Sequence, residues 1–310
     1  MPRSLLLFAA LLAGFPAPRP APAQQTSGEA QLVFRLDSGF DIPESMQHDP
    51  MRDVYLVSNV AAHATRPLNN GYISRVLPDG TVDDLRFIEG GRDGVTLHAP
   101  KGMLVEGDTL WVADVDRVRA FHAGTGRPLA TVDLSGVGAR FLNALARRPE
   151  GALYVTDTGL DFEGEDFHPG PDRIYRVEPG GEVGVALEAP ALEGPNGIAW
   201  DPARDRFLVV SLRGDGVLGW APGDEAPQVV ARGTGGYDGV AHLTDGRVVV
   251  SSQDGEALQE LRPDGTFREL VGGVTSPGDI GVDARRNRVL IPRLGEQIVE
   301  VWRLGEAGAT

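Results

Sequence analysis

Residues 141–157 read Phe141-Leu-Asn-Ala-Leu-Ala-Arg-Arg-Pro-Glu-Gly-Ala-Leu-Tyr-Val-Thr-Asp157. Two apolar runs flank a turn of Arg, Pro, Glu and Gly, which is typical of a β-hairpin. The same pattern recurs in residues 42–58 and 99–114, and again in segments that begin at Gly194, Gly236 and Ser276. Six copies of one short unit indicate a repeat architecture.

Each hairpin is followed by two more strand-like runs, such as Tyr72 to Leu77 and Thr81 to Ile88 around the Asp79-Gly80 turn. Four strands per unit is the pattern of a propeller blade. The sequence therefore predicts an all-β, six-bladed β-propeller of four-stranded blades that forms a single domain over residues 24–310. The sixth unit supplies only three strands, so we expect the strand Gln31–Asp37 to complete the last blade and close the ring.

The composition excludes several classes of protein. The chain has 310 residues, a formal net charge of -15 and no cysteine. The absence of cysteine excludes a disulfide framework, a cysteine zinc site and a thiol nucleophile. Because an acidic surface repels phosphate groups, we expect no nucleic acid partner and no binding to anionic membranes.

The first residues predict a secretory signal peptide over residues 1–23. A basic start at Arg3 precedes an apolar run from Leu5 to Phe15, and Ala21-Pro22-Ala23 is a small-residue cleavage site. The apolar run is too short to cross about 30 Å of hydrocarbon. We expect cleavage after Ala23 and a periplasmic or secreted protein, and the alternative is an uncleaved membrane anchor.

Equivalent positions at the starts of the inner strands must surround the propeller axis, because each blade is rotated about that axis. These six positions, here called the axial ring, are Glu44, Lys101, Asn143, Asn196, Asp238 and Gly278. Two carboxylates and two amide oxygens at one height suit Ca²⁺, with another divalent cation as the alternative. Zinc and copper are less favoured because the ring has no Cys or His. Taken singly, Asn196-Gly197 and Asp238-Gly239 are also ordinary turn dipeptides.

Three further residues are candidates for contact with a ligand on the face that carries the long loops. Lys101 is the only lysine, and it would bind a substrate carboxylate, act as an electrophile, or neutralise the ring as a salt bridge. His98 is either an auxiliary general base or an exposed loop residue. The acidic loop from Asp161 to Asp172 either covers the pocket, so that His168 contacts the substrate, or is solvated surface.

This constellation resembles the regucalcin and gluconolactonase family, also called the LRE-like family, of six-bladed calcium-dependent propellers. The residues that carry the resemblance are Pro43-Glu44, Phe141-Leu-Asn143-Ala, Pro195-Asn196-Gly-Ile-Ala-Trp200 and Tyr237-Asp238-Gly-Val240. The resemblance implies that Glu44, Asn196 and Asp238 bind the metal and that Asn143 lies near both metal and substrate. The chain departs from the family in Ser45-Met-Gln-His48 and in Phe141, which stands where an arginine often holds the substrate.

We therefore expect a secreted calcium-dependent hydrolase of lactones or small esters. The metal would polarise the carbonyl group, and Asp238 would orient or deprotonate the attacking water. The alternative is a non-catalytic propeller that binds a small molecule or a protein partner, in which calcium is only structural.

Overall fold

The computed structural model describes residues 30–162 and 164–305, and these residues form six four-stranded antiparallel sheets. The prediction of a six-bladed β-propeller is confirmed. Two single-turn 3-10 helices, Ser135–Val137 and Pro190–Leu192, are the helical elements of the described residues, and neither could reach across a bilayer. The predicted signal peptide, residues 1–23, lies outside the described residues.

The strands run outward from the axis in sequence order within each of the first five blades. Blade 1 contains β2 (Pro43–Asp49), β3 (Val54–Asn59), β4 (Tyr72–Val76) and β5 (Val82–Glu89). Blade 2 contains β6 (Pro100–Glu106), β7 (Thr109–Asp114), β8 (Arg117–His122) and β9 (Pro128–Asp133). Blade 3 contains β10 (Leu142–Arg147), β11 (Leu153–Asp157), β12 (Arg173–Val177) and β13 (Val183–Glu188). Blade 4 contains β14 (Pro195–Asp201), β15 (Arg206–Ser211), β16 (Gly216–Trp220) and β17 (Gln228–Arg232). Blade 5 contains β18 (Tyr237–His242), β19 (Val248–Ser252), β20 (Ala257–Leu261) and β21 (Phe267–Gly272).

Blade 6 is built from both ends of the described chain. It contains β22 (Gly281–Asp283), β23 (Arg288–Arg293), β24 (Ile298–Leu304) and, as its outermost strand, β1 (Ala30–Leu36). β1 pairs antiparallel with β24, so that Gln31 faces Arg303 and Leu36 faces Val299. The predicted closure of the ring by the N-terminal strand is therefore confirmed.

The hydrophobic core lies between neighbouring blades. Between blades 3 and 4 the ring of Phe207 lies 4.6 Å from that of Tyr154 and 4.9 Å from that of Trp200, measured between centroids. The strands β11 and β15 are buried almost throughout because both of their faces are covered by adjacent blades. Burial of each large apolar side chain contributes about 1.5–3 kcal/mol, so the interfaces between blades hold the ring together.

Glycine permits close approach of the inner strands at the axis. A Cβ atom on Gly102 would lie 2.6 Å from Cα of Ala144 in blade 3. A Cβ atom on Gly197 would lie 2.5 Å from the carbonyl oxygen of Asp238 in blade 5. Each of these glycines directly follows a residue of the axial ring, and any side chain there would push two blades apart.

Candidate metal centre

A β-bulge places the axial ring residue in each of the first five blades. In each of these blades two residues of the inner strand oppose one residue of the second strand, as between the pairs Pro43 with Asn59 and Met46 with Val57. The ring residue is the first of the two bulged residues. Equivalent irregularities follow Pro100, Leu142, Pro195 and Tyr237. Because a bulge re-aims side chains and ends regular pairing, the ring residues turn towards the axis instead of into the sheet.

Hydroxyl side chains compensate for the pairing that the bulge disrupts. In blade 3 the amide of Ala144 donates a hydrogen bond of 3.0 Å to Oγ1 of Thr156, which in turn donates to the carbonyl oxygen of Asn196 at 2.6 Å. In blade 5 the amide of Gly239 donates to Oγ of Ser251 at 2.7 Å. These buried hydroxyls therefore hold the backbone of the axial ring across neighbouring blades.

Five of the six axial ring residues line one cavity of about 250 Å³ on the loop-bearing face, namely Glu44, Lys101, Asn143, Asn196 and Asp238. The sixth, Gly278, packs against blade 1, where a Cβ atom would lie 2.3 Å from the carbonyl oxygen of Glu44. The structure thus brings together residues that are almost two hundred positions apart in the sequence.

Four buried oxygens in this cavity have no hydrogen-bond partner among the described residues. They are Oε2 of Glu44, Oδ1 of Asn143, Oδ1 of Asn196 and Oδ1 of Asp238. A buried polar atom without a partner costs about 1–3 kcal/mol, and four of them in one place need an explanation. Carboxylate and amide oxygens are ligands of Ca²⁺, and this donor set therefore fits a divalent cation.

The opposite sides of two of these groups are held by neighbouring side chains. Nδ2 of Asn143 donates to Oγ1 of Thr158 at 3.0 Å. Nε2 of Gln253 donates to Oδ2 of Asp238 at 2.7 Å. Both bonds fix the side chain so that its second polar atom, an oxygen in each case, is left for a ligand.

The cavity brings buried acidic groups together, and the protein disfavours their charged forms, an effect that Lys101 offsets only in part at Glu44. Burial raises the pKa of Glu44 well above its usual range, and Asp238 and Asp279 raise it further. Burial, reinforced by Asp279, also raises the pKa of Asp238 to about 8. A divalent cation would offset these charges and bring both pKa values down again. Across residues 30–162 and 164–305 no three His, Asp or Glu side chains form a metal-binding group, so the two amides are needed to complete the site.

Lys101 is buried in the wall of the cavity without a direct ion pair. Its Nζ donates to the carbonyl oxygens of Ala64 at 3.2 Å and Ala99 at 3.4 Å, and it lies 4.2 Å from the centroid of the Phe141 ring. No carboxylate oxygen of the described residues lies within 4.0 Å of Nζ, although Glu44 is close enough to act on it electrostatically. Burial lowers the pKa of Lys101. Among the described residues Lys101 therefore makes no close salt bridge to the axial ring, and it lines the cavity beside Glu44.

The two predicted histidines lie outside the cavity lining. Nδ1 of His98 accepts a hydrogen bond from the amide of Asn69 at 3.1 Å, so this ring fastens two loops together. His168 lies between Asp172, at 2.7 Å from its Nε2, and Arg213, at 2.6 Å from its Nδ1. The long loops contribute Ala62, His63 and Ala64 to the lining, together with Leu160 and, from the acidic loop itself, Phe162. The acidic side chains Glu165 and Asp166 of that loop are exposed.

A second circle of equivalent residues, which the sequence analysis missed, surrounds the axial ring. These residues directly follow the second strand of each blade and are called the outer ring: Val60, Val115, Thr158, Leu212, Gln253 and Leu294. The repeat is visible in the backbone, because the amide of an outer ring residue donates to the residue two positions before the axial ring. Such bonds join Val60 to Ile42, Thr158 to Phe141, Leu212 to Gly194, Gln253 to Gly236 and Leu294 to Ser276. Four of the six line the cavity, and the same alignment that identifies the axial ring would have found them.

The sequence pattern of the SMP-30/gluconolactonase/LRE-like family matches residues 68–277. The chain belongs to this family. No curated protein sequence matches it significantly.

Solved structures share the fold at low sequence identity. A structure assigned to the gluconolactonase family superposes with a TM-score of 0.66 at 18% identity, over 90% of this chain and 94% of that one. A luciferin-regenerating enzyme superposes with a TM-score of 0.64 at 10% identity, over 87% of this chain and 92% of that one. Virginiamycin B lyase from Staphylococcus aureus, in a catalytically inactive form with quinupristin, gives 0.60 at 12% identity, over 89% and 99%. At these identities the likeness concerns the fold alone.

Proposed function

We propose that the protein is a metal-dependent hydrolase of lactones or related small esters and that the reaction takes place in the axial cavity. The observation that carries the proposal is the convergence of four buried oxygens without partners on one cavity. Membership of the SMP-30/gluconolactonase/LRE-like family supports a lactonase-like or related propeller enzyme in general terms.

In this proposal Glu44, Asn143, Asn196 and Asp238 hold the cation, with Ca²⁺ favoured because all four donors are oxygens. A divalent cation bound there supplies Lewis-acid polarisation of the substrate carbonyl group and balances the two carboxylates. The remaining steps concern groups of the chain itself.

Asp238 is the residue best placed to position the attacking water and accept its proton. Gln253 donates a hydrogen bond to Oδ2, whereas Oδ1 has no hydrogen-bond partner among the described residues. Attack by the water oxygen forms a new bond to the carbonyl carbon, and the bond from that carbon to the ring oxygen then breaks. The proton taken up by Asp238 passes to the leaving oxygen, which yields a hydroxy acid.

Lys101 would assist by donating a hydrogen bond. An ammonium group has three donors, and two of them are engaged by the carbonyl oxygens of Ala64 and Ala99. The third can meet the oxygen that gains negative charge in the transition state, or the carboxylate of the product. Lys101→Met should weaken ligand binding more than calcium binding, whereas the reverse order in calorimetric titrations would assign Lys101 to the metal site.

The direct test is acid release from a panel of lactones, followed with a pH indicator, with and without a chelator. We expect turnover that the chelator removes and calcium restores, and loss of both turnover and calcium binding in Glu44→Gln. Glu165→Gln is the matched control, because Glu165 is exposed on a loop of the same face. Calcium binding without turnover of any ester would favour a non-catalytic binding protein, and absence of calcium binding would remove the metal from the proposal.

Export of the chain is a separate proposal, and it rests on the signal-peptide pattern of residues 1–23. N-terminal sequencing of the protein from the cell envelope fraction should begin at Gln24. Recovery of the full-length chain from the cytoplasm would contradict export.

A further inference from the structure

Apart from the axial ring, nine of the eleven residues that line the cavity are apolar, and the other two are His63 and Gln253. Two repeat positions, both defined by the fold, provide five of these apolar residues. The outer ring contributes Val60, Leu212 and Leu294, and the position two residues before the axial ring contributes Ile42 and Phe141.

An aromatic pair extends the wall towards the acidic loop. Phe141 is buried, and its ring centroid lies 5.8 Å from that of Phe162. Phe162 also packs edge-on against His63 at 6.3 Å, and against Phe167 at 5.1 Å. Leu160 precedes this cluster and lines the cavity as well.

The polar groups on this wall are already engaged by the protein, except for one donor of Lys101, which the proposed function assigns to the substrate carbonyl oxygen. Nε2 of Gln253 is bound to Asp238, and Nδ1 of His63 lies 3.2 Å from Oγ1 of Thr65. Lys101 uses two of its donors on carbonyl oxygens. A polyhydroxylated ligand would exchange its bonds to water for contacts with hydrocarbon, and each hydroxyl left without a partner opposes binding.

We propose that the substrate of the axial cavity is a lactone or ester with an apolar alkyl or aryl substituent, and that polyhydroxylated lactones are excluded. This inference rests on the proposed function, because it names the substrate class of the same site. The carbonyl group lies at the oxygens of the axial ring, and the substituent packs against Phe141, Phe162 and Leu212. Burial of each methylene stabilises the complex by about 0.8 kcal/mol, which is about fourfold in affinity, until the cavity is full.

The experiment uses the full chain with calcium and compares δ-valerolactone, its propyl and pentyl derivatives, and glucono-δ-lactone. Hydrolysis is measured for each compound, and binding is measured by calorimetry with the corresponding lactams, which resist hydrolysis. We expect kcat/KM and lactam affinity to rise together by about fourfold per methylene, with glucono-δ-lactone the poorest substrate.

Phe162→Ser should reduce the gain in kcat/KM and in lactam affinity to less than twofold per methylene, while the affinity for calcium stays unchanged. Leu68→Ser is the matched control, because Leu68 is 48% exposed on another loop of the same face and lies outside the cavity lining. An equal effect of the two substitutions would overturn the assignment of Phe162 to the substrate.

The outcomes separate this inference from the proposed function. Faster hydrolysis of glucono-δ-lactone than of the pentyl lactone would overturn the proposed substrate class but would still support the proposed hydrolase activity. Lactam binding that rises along the series without turnover of any lactone would overturn the hydrolase and support the apolar ligand class. Absence of both hydrolysis and lactam binding would overturn both.

Discussion

Replacement of Asp238 by Asn tests whether the buried carboxylate at the propeller axis binds a cation or stabilises the fold by itself. Burial and the neighbouring Asp279 raise the pKa of Asp238 to about 8 from an ordinary value of 3.8. Between these two values the folded metal-free protein keeps a proton that the unfolded chain has released. The stability of the metal-free protein is therefore unaffected by this ionisation below pH 3.8. As the pH rises from 3.8 towards 8, the free energy of unfolding falls by about 1.4 kcal/mol per pH unit.

The magnitude at pH 7 follows from these values. Because pH 7 lies about three units above the ordinary pKa, Asp238 lowers the free energy of unfolding of the metal-free protein by about 4 kcal/mol at this pH. Asn removes this penalty and keeps an acceptor for the hydrogen bond from Gln253, but it also buries an N–H group at a cost of about 1–3 kcal/mol. We therefore expect Asp238→Asn to stabilise the metal-free protein by about 2 kcal/mol at pH 7 and by almost nothing at pH 5.

In the presence of calcium the wild-type protein should become more stable than Asp238→Asn. At a calcium concentration one hundred times the dissociation constant, binding adds about 2.7 kcal/mol to the wild-type protein and nothing to Asp238→Asn. The assay is urea unfolding at pH 5, 6 and 7, followed by tryptophan fluorescence, with chelator or with calcium. Asp93→Asn is the control, because the Asp93 side chain is 88% exposed and its φ of 49° is one that Asn tolerates.

Two results would refute this reasoning. If Asp238→Asn destabilised the metal-free protein by the same amount at every pH, the carboxylate would be part of the fold and not a site held open for a ligand. If calcium stabilised the wild type and the variant equally, the cation would bind elsewhere.

Three further predictions concern the scaffold. Deletion of residues 30–36 should lower the melting temperature sharply, because β24 loses its partner, and an unchanged melting temperature would contradict ring closure. Gly102→Ala should lower the free energy of unfolding in urea by about 2 kcal/mol or more, because the new Cβ would lie 2.6 Å from the Cα atom of Ala144. Gly136→Ala is the control and should be nearly neutral, because no atom lies within 4 Å of the added Cβ. Thr156→Val should cost about 1–3 kcal/mol by the same assay, because it removes the hydroxyl that bridges blades 3 and 4, and a neutral result would show that the bridge is dispensable.

The repeat explains why the axial ring could be predicted from the sequence. Rotation about one axis forces equivalent residues to the same height, so alignment of the six units was sufficient to bring Glu44 and Asp238 together. The outer ring obeys the same rule, and Gln253, the partner of Asp238, could have been found by applying the alignment to the residue after each second strand. The bulge was not visible in the sequence, because it is a property of the pairing between strands.

The loops could not be predicted, because they do not repeat. His98 is closer to Lys101 in sequence than His63 is, yet its ring is fastened to Asn69 while His63 reaches the cavity. The charge of the acidic loop suggests a polar cover, but the residue of this loop that lines the cavity is the aromatic Phe162. Burial of apolar surface decides which side of a loop faces inward, and the charged side chains remain in water.

The strand pairing in blade 6 has a consequence for when the fold can be completed. Gln31 in β1 and Arg303 in β24 are 272 residues apart, so the first strand of the described chain must wait for the last. At a synthesis rate of about 5–20 residues per second, this interval is roughly 15–50 s. Throughout that time the polypeptide can form at most an open arc of blades, so closure of the ring is the final step of folding.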